Sequence, residues 1–113
     1  MAPHETRDLD QGSWLPFFDS VSSSLRGKAA DITISTPSEH IHQSRCWQLH
    51  GLTYDPYDRA LIVSCRQQEH VIATPKAIRV ESHGHTIHSV EVVKDGGDRE
   101  VIRFVDPLLL PAT

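Results

Sequence analysis

Residues 86–105, TIHSVEVVKDGGDREVIRFV, decide the fold class. Val90 and Val92 alternate with polar neighbours before a glycine pair, and Ile102 and Phe104 do the same after it. A period of two around turn glycines reads as two antiparallel strands, 86–95 and 99–105. Side-chain matching chooses the loop. A two-residue loop at Gly96-Gly97 sets Glu91 against Ile102 and Val90 against Arg103, which is poor. A three-residue loop sets Val92 against Ile102 and Val90 against Phe104. It also sets Glu91 against Arg103 and Lys94 against Glu100. Favourable cross-strand pairs are each worth ~0.2–1 kcal/mol, and glycine supplies the left-handed position that such loops use. The three-residue loop is therefore the expectation.

Working upstream, the same period recurs. Ile32 and Ile34 mark a strand over 29–35. Cys46, Trp47, Leu49 and Leu52 mark a second over 43–54, with Gly51 as a bulge or bend. Residues 60–65, ALIVSC, are almost continuously apolar and read as a central strand. A fourth strand covers 69–81, interrupted at Pro75, which has no amide for the ladder. Asp55-Pro56-Tyr57-Asp58 is turn chemistry. One segment carries a helical period instead: Trp14, Phe18, Val21 and Leu25 fall on a single stripe, widened by Phe17. Ser13 stands where an N-cap hydroxyl accepts a first-turn amide, and Gly27 where a left-handed C-cap belongs. The run Ser22-Ser23-Ser24 forms helix poorly, so packing must hold this helix rather than propensity.

The predicted fold is mainly β (α+β), with one N-terminal helix ahead of a five- to six-stranded antiparallel curled sheet. The alternative is a small, partly open barrel of SH3-like or Sm-like shape. Residues 1–12 lack periodicity and read as a loose tail, 13–106 as one domain, and 107–113 as an apolar tail. A chain of 113 residues supports a single modest core. No apolar run approaches the length of a membrane span, and the first residues lack a signal-peptide pattern. With two cysteines, this predicts a cytoplasmic protein whose thiols are reduced, small hydrophobes, with a Cys46–Cys65 bridge the lesser reading.

The formal charge of −4 is spread along the chain without a basic stripe, so nucleic acid is not an expected partner. Histidine is the unusual feature. Protonating all eight would turn −4 into +4, placing the point of zero charge near pH 6.

The residues so assembled resemble a bacterial family, domain of unknown function 5335. The likeness rests on Trp14-x-x-Phe17-Phe18-Asp19, Gly27, and Leu49-x-Gly51-Leu52-x-x-Asp55. It continues in His70-x-Ile72-x-x-Pro75-x-x-Ile78-x-Val80-Glu81 and closes with Asp95-Gly96 and Ile102-Arg103-Phe104. These are mostly core, turn and cap residues, and they run in order over about 14–104. The resemblance implies a small bacterial protein of a family without an assigned activity. His40, His42 and the cluster at 83–88 fall outside the shared pattern.

Three functional readings follow. No nucleophile–base–orienter set stands in the sequence, which favours a non-enzymatic binding or self-association module. Its handle is the run Leu108-Leu109-Leu110, an apolar patch that soluble monomers avoid exposing; the tail either folds back over an open sheet edge or docks on a second copy of the chain. The alternative is a transition-metal protein taking Zn or Ni on His83, His85 and His88. On an extended strand His83 and His85 share a face, while His88 joins them only if Gly84 turns the chain. The third reading is an enzyme, or at least a binding site, built on His70 with a carboxylate, Glu81. His70 has the parity of Ile72, Ile78 and Val80; Glu81 has the opposite parity and meets His70 only if the strand bends. Trp47, Tyr54 and Tyr57 read as core and turn packing.

Overall fold

The apolar stripe of the helix is buried as its spacing requires. In the computed structural model, which describes residues 4–105 except 39 and 85, helix α1 spans Trp14–Leu25 and buries Trp14, Phe18 and Leu25. Gly27 follows at φ +90°, the left-handed stop that the sequence predicts. Ser13 behaves differently from the expectation. Its hydroxyl donates to the Asp10 carbonyl at 2.7 Å and caps no helix amide, because a 3₁₀ turn at Gln11–Ser13 precedes the helix.

Ahead of that turn, strand β1 covers His4–Leu9; after α1 come β2 (Ala29–Ser35), β3 (Ile41–Cys46), β4 (Leu49–Asp55) and β5 (Ala60–Cys65). Strands β6 (Glu69–Ala73), β7 (Pro75–His83), β8 (Thr86–Lys94) and β9 (Arg99–Val105) complete the fold. They form two antiparallel sheets, one of six strands in the order β1-β7-β8-β9-β2-β3 and one of three in the order β4-β5-β6. Among the described residues there are thus nine strands rather than five or six, and neither sheet closes into a barrel.

The additional strands have separate physical origins. Residues 4–9, expected to be a loose tail, pair with β7 as an edge strand. Residues 43–54 are not one strand: the chain leaves the large sheet after Cys46 and enters the small one at Leu49. Residues 69–81 divide likewise at Thr74, which takes φ +49° to turn the corner, so that Pro75 opens β7 where its missing amide costs no ladder bond.

The β8–β9 loop has the expected three residues, Asp95 to Gly97, closed by Lys94 N–H donating to the Asp98 carbonyl at 2.8 Å. Gly97 holds the left-handed position at φ +92°. The closing pair lies one residue nearer the N-terminus than expected, so the observed partners are Val90 with Ile102 and Val92 with Glu100. Faces are preserved, because the displacement between partners is two. The consequence is that Glu100 takes a core position, with Ile34 of β2 on its other side.

The core lies between the sheets. Ile32, Ile78, Val90, Val92 and Ile102 of the large sheet meet Leu52, Leu61, Val63 and Ile72 of the small one. Helix α1 covers the edge of β4. Trp14 stands edge-on to Tyr54 with ring centroids 5.2 Å apart, and its ring N–H donates to the Leu9 carbonyl at 3.2 Å. Below it, Ser22 Oγ accepts the Leu52 amide at 3.1 Å. Gly51 permits that approach, since a Cβ there would overlap Ser22 Oγ. Gly51→Ala must therefore push the helix away or rotate Ser22 and strand the Leu52 amide. A loss of about 1–2 kcal/mol is expected in urea unfolding, and an unchanged midpoint would contradict this packing.

Cys46 and Cys65 are disulfide-bonded, with Cα atoms 5.6 Å apart. This corrects the expectation of free thiols. The bond joins the end of β3 in the large sheet to the end of β5 in the small one, two strands that are not ladder neighbours.

Candidate functional site

The inward face of β9 places a carboxylate where the pattern calls for an apolar side chain. Glu100 is 2% exposed, between Ile34 and Val92. Its Oε1 accepts from His70 Nε2 at 2.6 Å, and its Oε2 lies 3.5 Å from Lys94 Nζ. His70 stands on β6 of the small sheet, facing inward beside Ile72 as its parity predicts, with 21% of its side chain exposed. Lys94 reaches the carboxylate diagonally from the end of β8. The expected Lys94–Glu100 pairing thus survives as a contact although the register differs. A buried charge needs partners on both oxygens, and this one has them.

The arrangement links the sheets across the core. As chemistry it is an imidazole oriented by a carboxylate, the base and orienter of a nucleophile–base–orienter set. The carboxylate itself is 3% exposed, so a ligand would meet the imidazole and not Glu100.

Glu81 is not the partner of His70. It lies on β7 opposite Ser89 and Thr6, on the outward face of the large sheet, whereas His70 points into the core. The strand does bend near Pro75, but the bend moves β6 and β7 into different sheets. Glu100 was identifiable as inward-facing from its parity with Ile102. Its meeting with His70 was not, because the two lie 30 residues apart on facing sheets.

At the β7–β8 hairpin, Gly84 takes φ +64° and His83 pairs with Thr86. The imidazoles of His83 and His88 lie with centroids 5.8 Å apart, tilted by 38°. His85 lies outside the described residues, as do Leu108, Leu109 and Leu110. Among the described residues no three histidine, cysteine or acidic side chains gather as a metal centre. His40 sits in the β2–β3 turn, its amide held by Thr36 Oγ1, and His42 and His50 are exposed on β3 and β4.

The outward face of the large sheet is a ladder of opposite charges. Arg45 donates to both oxygens of Asp31 at 2.7 and 3.1 Å, and Arg79 donates to Asp8 at 2.8 Å. The Arg45 hydrogen bond holds the Asp31 carboxyl below its usual range, with Arg103 adding attraction. Around them runs an open depression of about 730 Å³ lined by Asp31, Thr33, Gln43, Arg45, Val101 and Arg103. Of the three aromatic residues assigned to packing, only Tyr54 is buried; Tyr57 and Trp47 are exposed, and the Arg45 guanidinium lies 5.2 Å above the Trp47 ring. No helix among the described residues is long and apolar enough to cross a membrane.

Comparison with known proteins agrees with the resemblance read from the residues. An uncharacterized protein of Aquifex aeolicus (strain VF5) is 29% identical over 110 residues, covering 94% of this chain and 97% of the relative. No solved structure matches the chain. The profile described as "Family of unknown function (DUF5335)" matches residues 5–113. A match of that extent takes in both sheets, the helix and the segment after β9, and the chain belongs to this family.

Proposed function

We propose that the protein is a non-enzymatic binding module that associates with a second copy of itself through Leu108, Leu109 and Leu110. The supporting observation is where that segment begins. Strand β9 ends at Val105, one residue after Phe104; Phe104 pairs with Ala30, and Ala30 pairs with Cys46. Trp47, 68% exposed, follows Cys46. The tail therefore starts two strands from an exposed indole, a separation of about 10 Å. Beyond Trp47, β3 is an open sheet edge, exposed from Ile41 to Arg45. Open edges and large exposed aromatics favour association. A two-fold exchange in which each tail covers the other copy's Trp47 satisfies both surfaces at once.

The strand changes after Cys46 and at Thr74 are part of this reading. They resemble the corners of an SH3-like or Sm-like small barrel left open, a shape used widely for binding. The His70–Glu100 pair is assigned to the cohesion of the two sheets, since its carboxylate is shut away from solvent.

The test compares the full chain with a truncation lacking residues 107–113 and with Trp47→Ser, by sedimentation velocity over a hundredfold range of concentration. The full chain is expected to dimerise and both variants to dissociate at least tenfold more readily. A full chain that is monomeric throughout, or a truncation that loses thermal stability without changing size, would overturn the proposal. The second result would place the tail on its own copy.

A further inference from the structure

The hairpin between β7 and β8 carries two imidazoles whose placement depends on a local irregularity. Glu81 pairs with Ser89 and Ser82 with Ile87, so His88 is an extra residue, a β-bulge in β8. On an unbroken strand His88 would share the parity of Val90 and Val92 and enter the core. The bulge gives that place to Ile87, which packs against the core cluster, and leaves His88 exposed. On the opposite strand His83 is exposed as well, and it reaches the same end of the hairpin through the turn at Gly84. Bulges commonly re-aim a side chain for a purpose.

We infer that His83 and His88 form a two-imidazole site for a divalent transition ion of the zinc or nickel class, completed by water. With a metal–nitrogen bond of about 2.0–2.1 Å, two imidazoles sharing one tetrahedral ion place their ring centroids roughly 5 Å apart. The observed 5.8 Å is reached from there by a small side-chain rotation, and both side chains stand exposed at this end of the hairpin. Imidazole is a borderline donor that suits these ions, whereas calcium and magnesium prefer all-oxygen sites. Glu81 of β7 and Arg103 of β9 line the depression beside His88, about 260 Å³ in volume, with opposite charges. Neither sign of local field then dominates, and the two nitrogens supply the selectivity. The site counts only His83 and His88 and does not depend on the self-association proposed above.

The experiment is calorimetric titration of the untagged full chain with Zn²⁺ and with Ni²⁺, each as the simple salt. One ion per chain is expected, with affinity reduced at least tenfold by His83→Ala and by His88→Ala and unchanged by His42→Ala. Both substituted positions are exposed, so the variants keep their fold. Nuclear magnetic resonance of the imidazoles during Ni²⁺ addition provides the second readout, with His83 and His88 expected to broaden first. An absence of binding below about millimolar, an affinity unchanged in either single variant, or first broadening at His40 and His42 would overturn the inference.

Discussion

His70→Ala is expected to lower the unfolding free energy by about 3 kcal/mol. Losing the imidazole leaves the Glu100 carboxylate between Ile34 and Val92 with only the looser Lys94 contact at 3.5 Å. Leaving a buried group without its hydrogen-bond partner costs ~1–3 kcal/mol, and the upper end applies because the acceptor is a carboxylate only 3% exposed. Glu100→Leu at the same contact should cost less than about 1 kcal/mol or stabilise, since it removes the buried charge and keeps an inward apolar side chain. The order of the two variants in urea unfolding is the decisive reading. If Glu100→Leu proves the more damaging, the carboxylate contributes something other than a satisfied charge between the sheets.

Reducing the Cys46–Cys65 bond is expected to cost a comparable amount. The cysteines are 19 residues apart, and releasing a loop of that length returns about 3 kcal/mol of chain entropy to the unfolded state. For a domain of this size the melting temperature should fall by roughly 10 °C. Thermal melts with and without a reductant provide the check. The double variant Cys46→Ala/Cys65→Ala should melt with the reduced protein and ignore the reductant. Equal melting temperatures for oxidised and reduced wild type would show that the bond does not tie β3 to β5.

These two links, one covalent and one electrostatic, matter because the two sheets share no ladder. What holds them is the core between, the helix over the edge of β4, and the crossings after Cys46 and at Thr74. Gly51 belongs to the same set, since it admits Ser22 of the helix to the β4 backbone.

Legibility in the sequence followed burial. The helix stripe from Trp14 to Leu25 and the strands at 29–35, 60–65 and 99–105 carry strong apolar periodicity and stand where it predicts. Strands β1 and β3, His4–Leu9 and Ile41–Cys46, are sheet edges whose described side chains are mostly exposed, so no period of two reveals β1 or separates β3 from the strand that follows it. The corners were hidden for another reason: apolar alternation continues across a bend when both sheets face one core. Pro75 marked one corner, but the residue that turns is Thr74. At the hairpin the loop length was readable from its glycines, while its closing pair was not. That difference of two residues between partners sent Glu100 to Val92 instead of Lys94.

The site shows the same division. Inward parity for His70 could be read along its strand, and Glu100 shares the parity of Ile102. Their contact depends on the packing of facing sheets, which no local pattern encodes. Glu81, nearer in sequence, was placed on the opposite face by that same parity. The bulge at His88 was likewise unreadable, because an extra residue changes parity without changing composition.

Self-association is the central claim, and the mass of the unmodified chain in solution tests it most directly. Multi-angle light scattering on the eluting protein, from micromolar to several hundred micromolar, is predicted to give a mass rising to twice 12.7 kDa. A mass that stays at 12.7 kDa across that range would contradict the account.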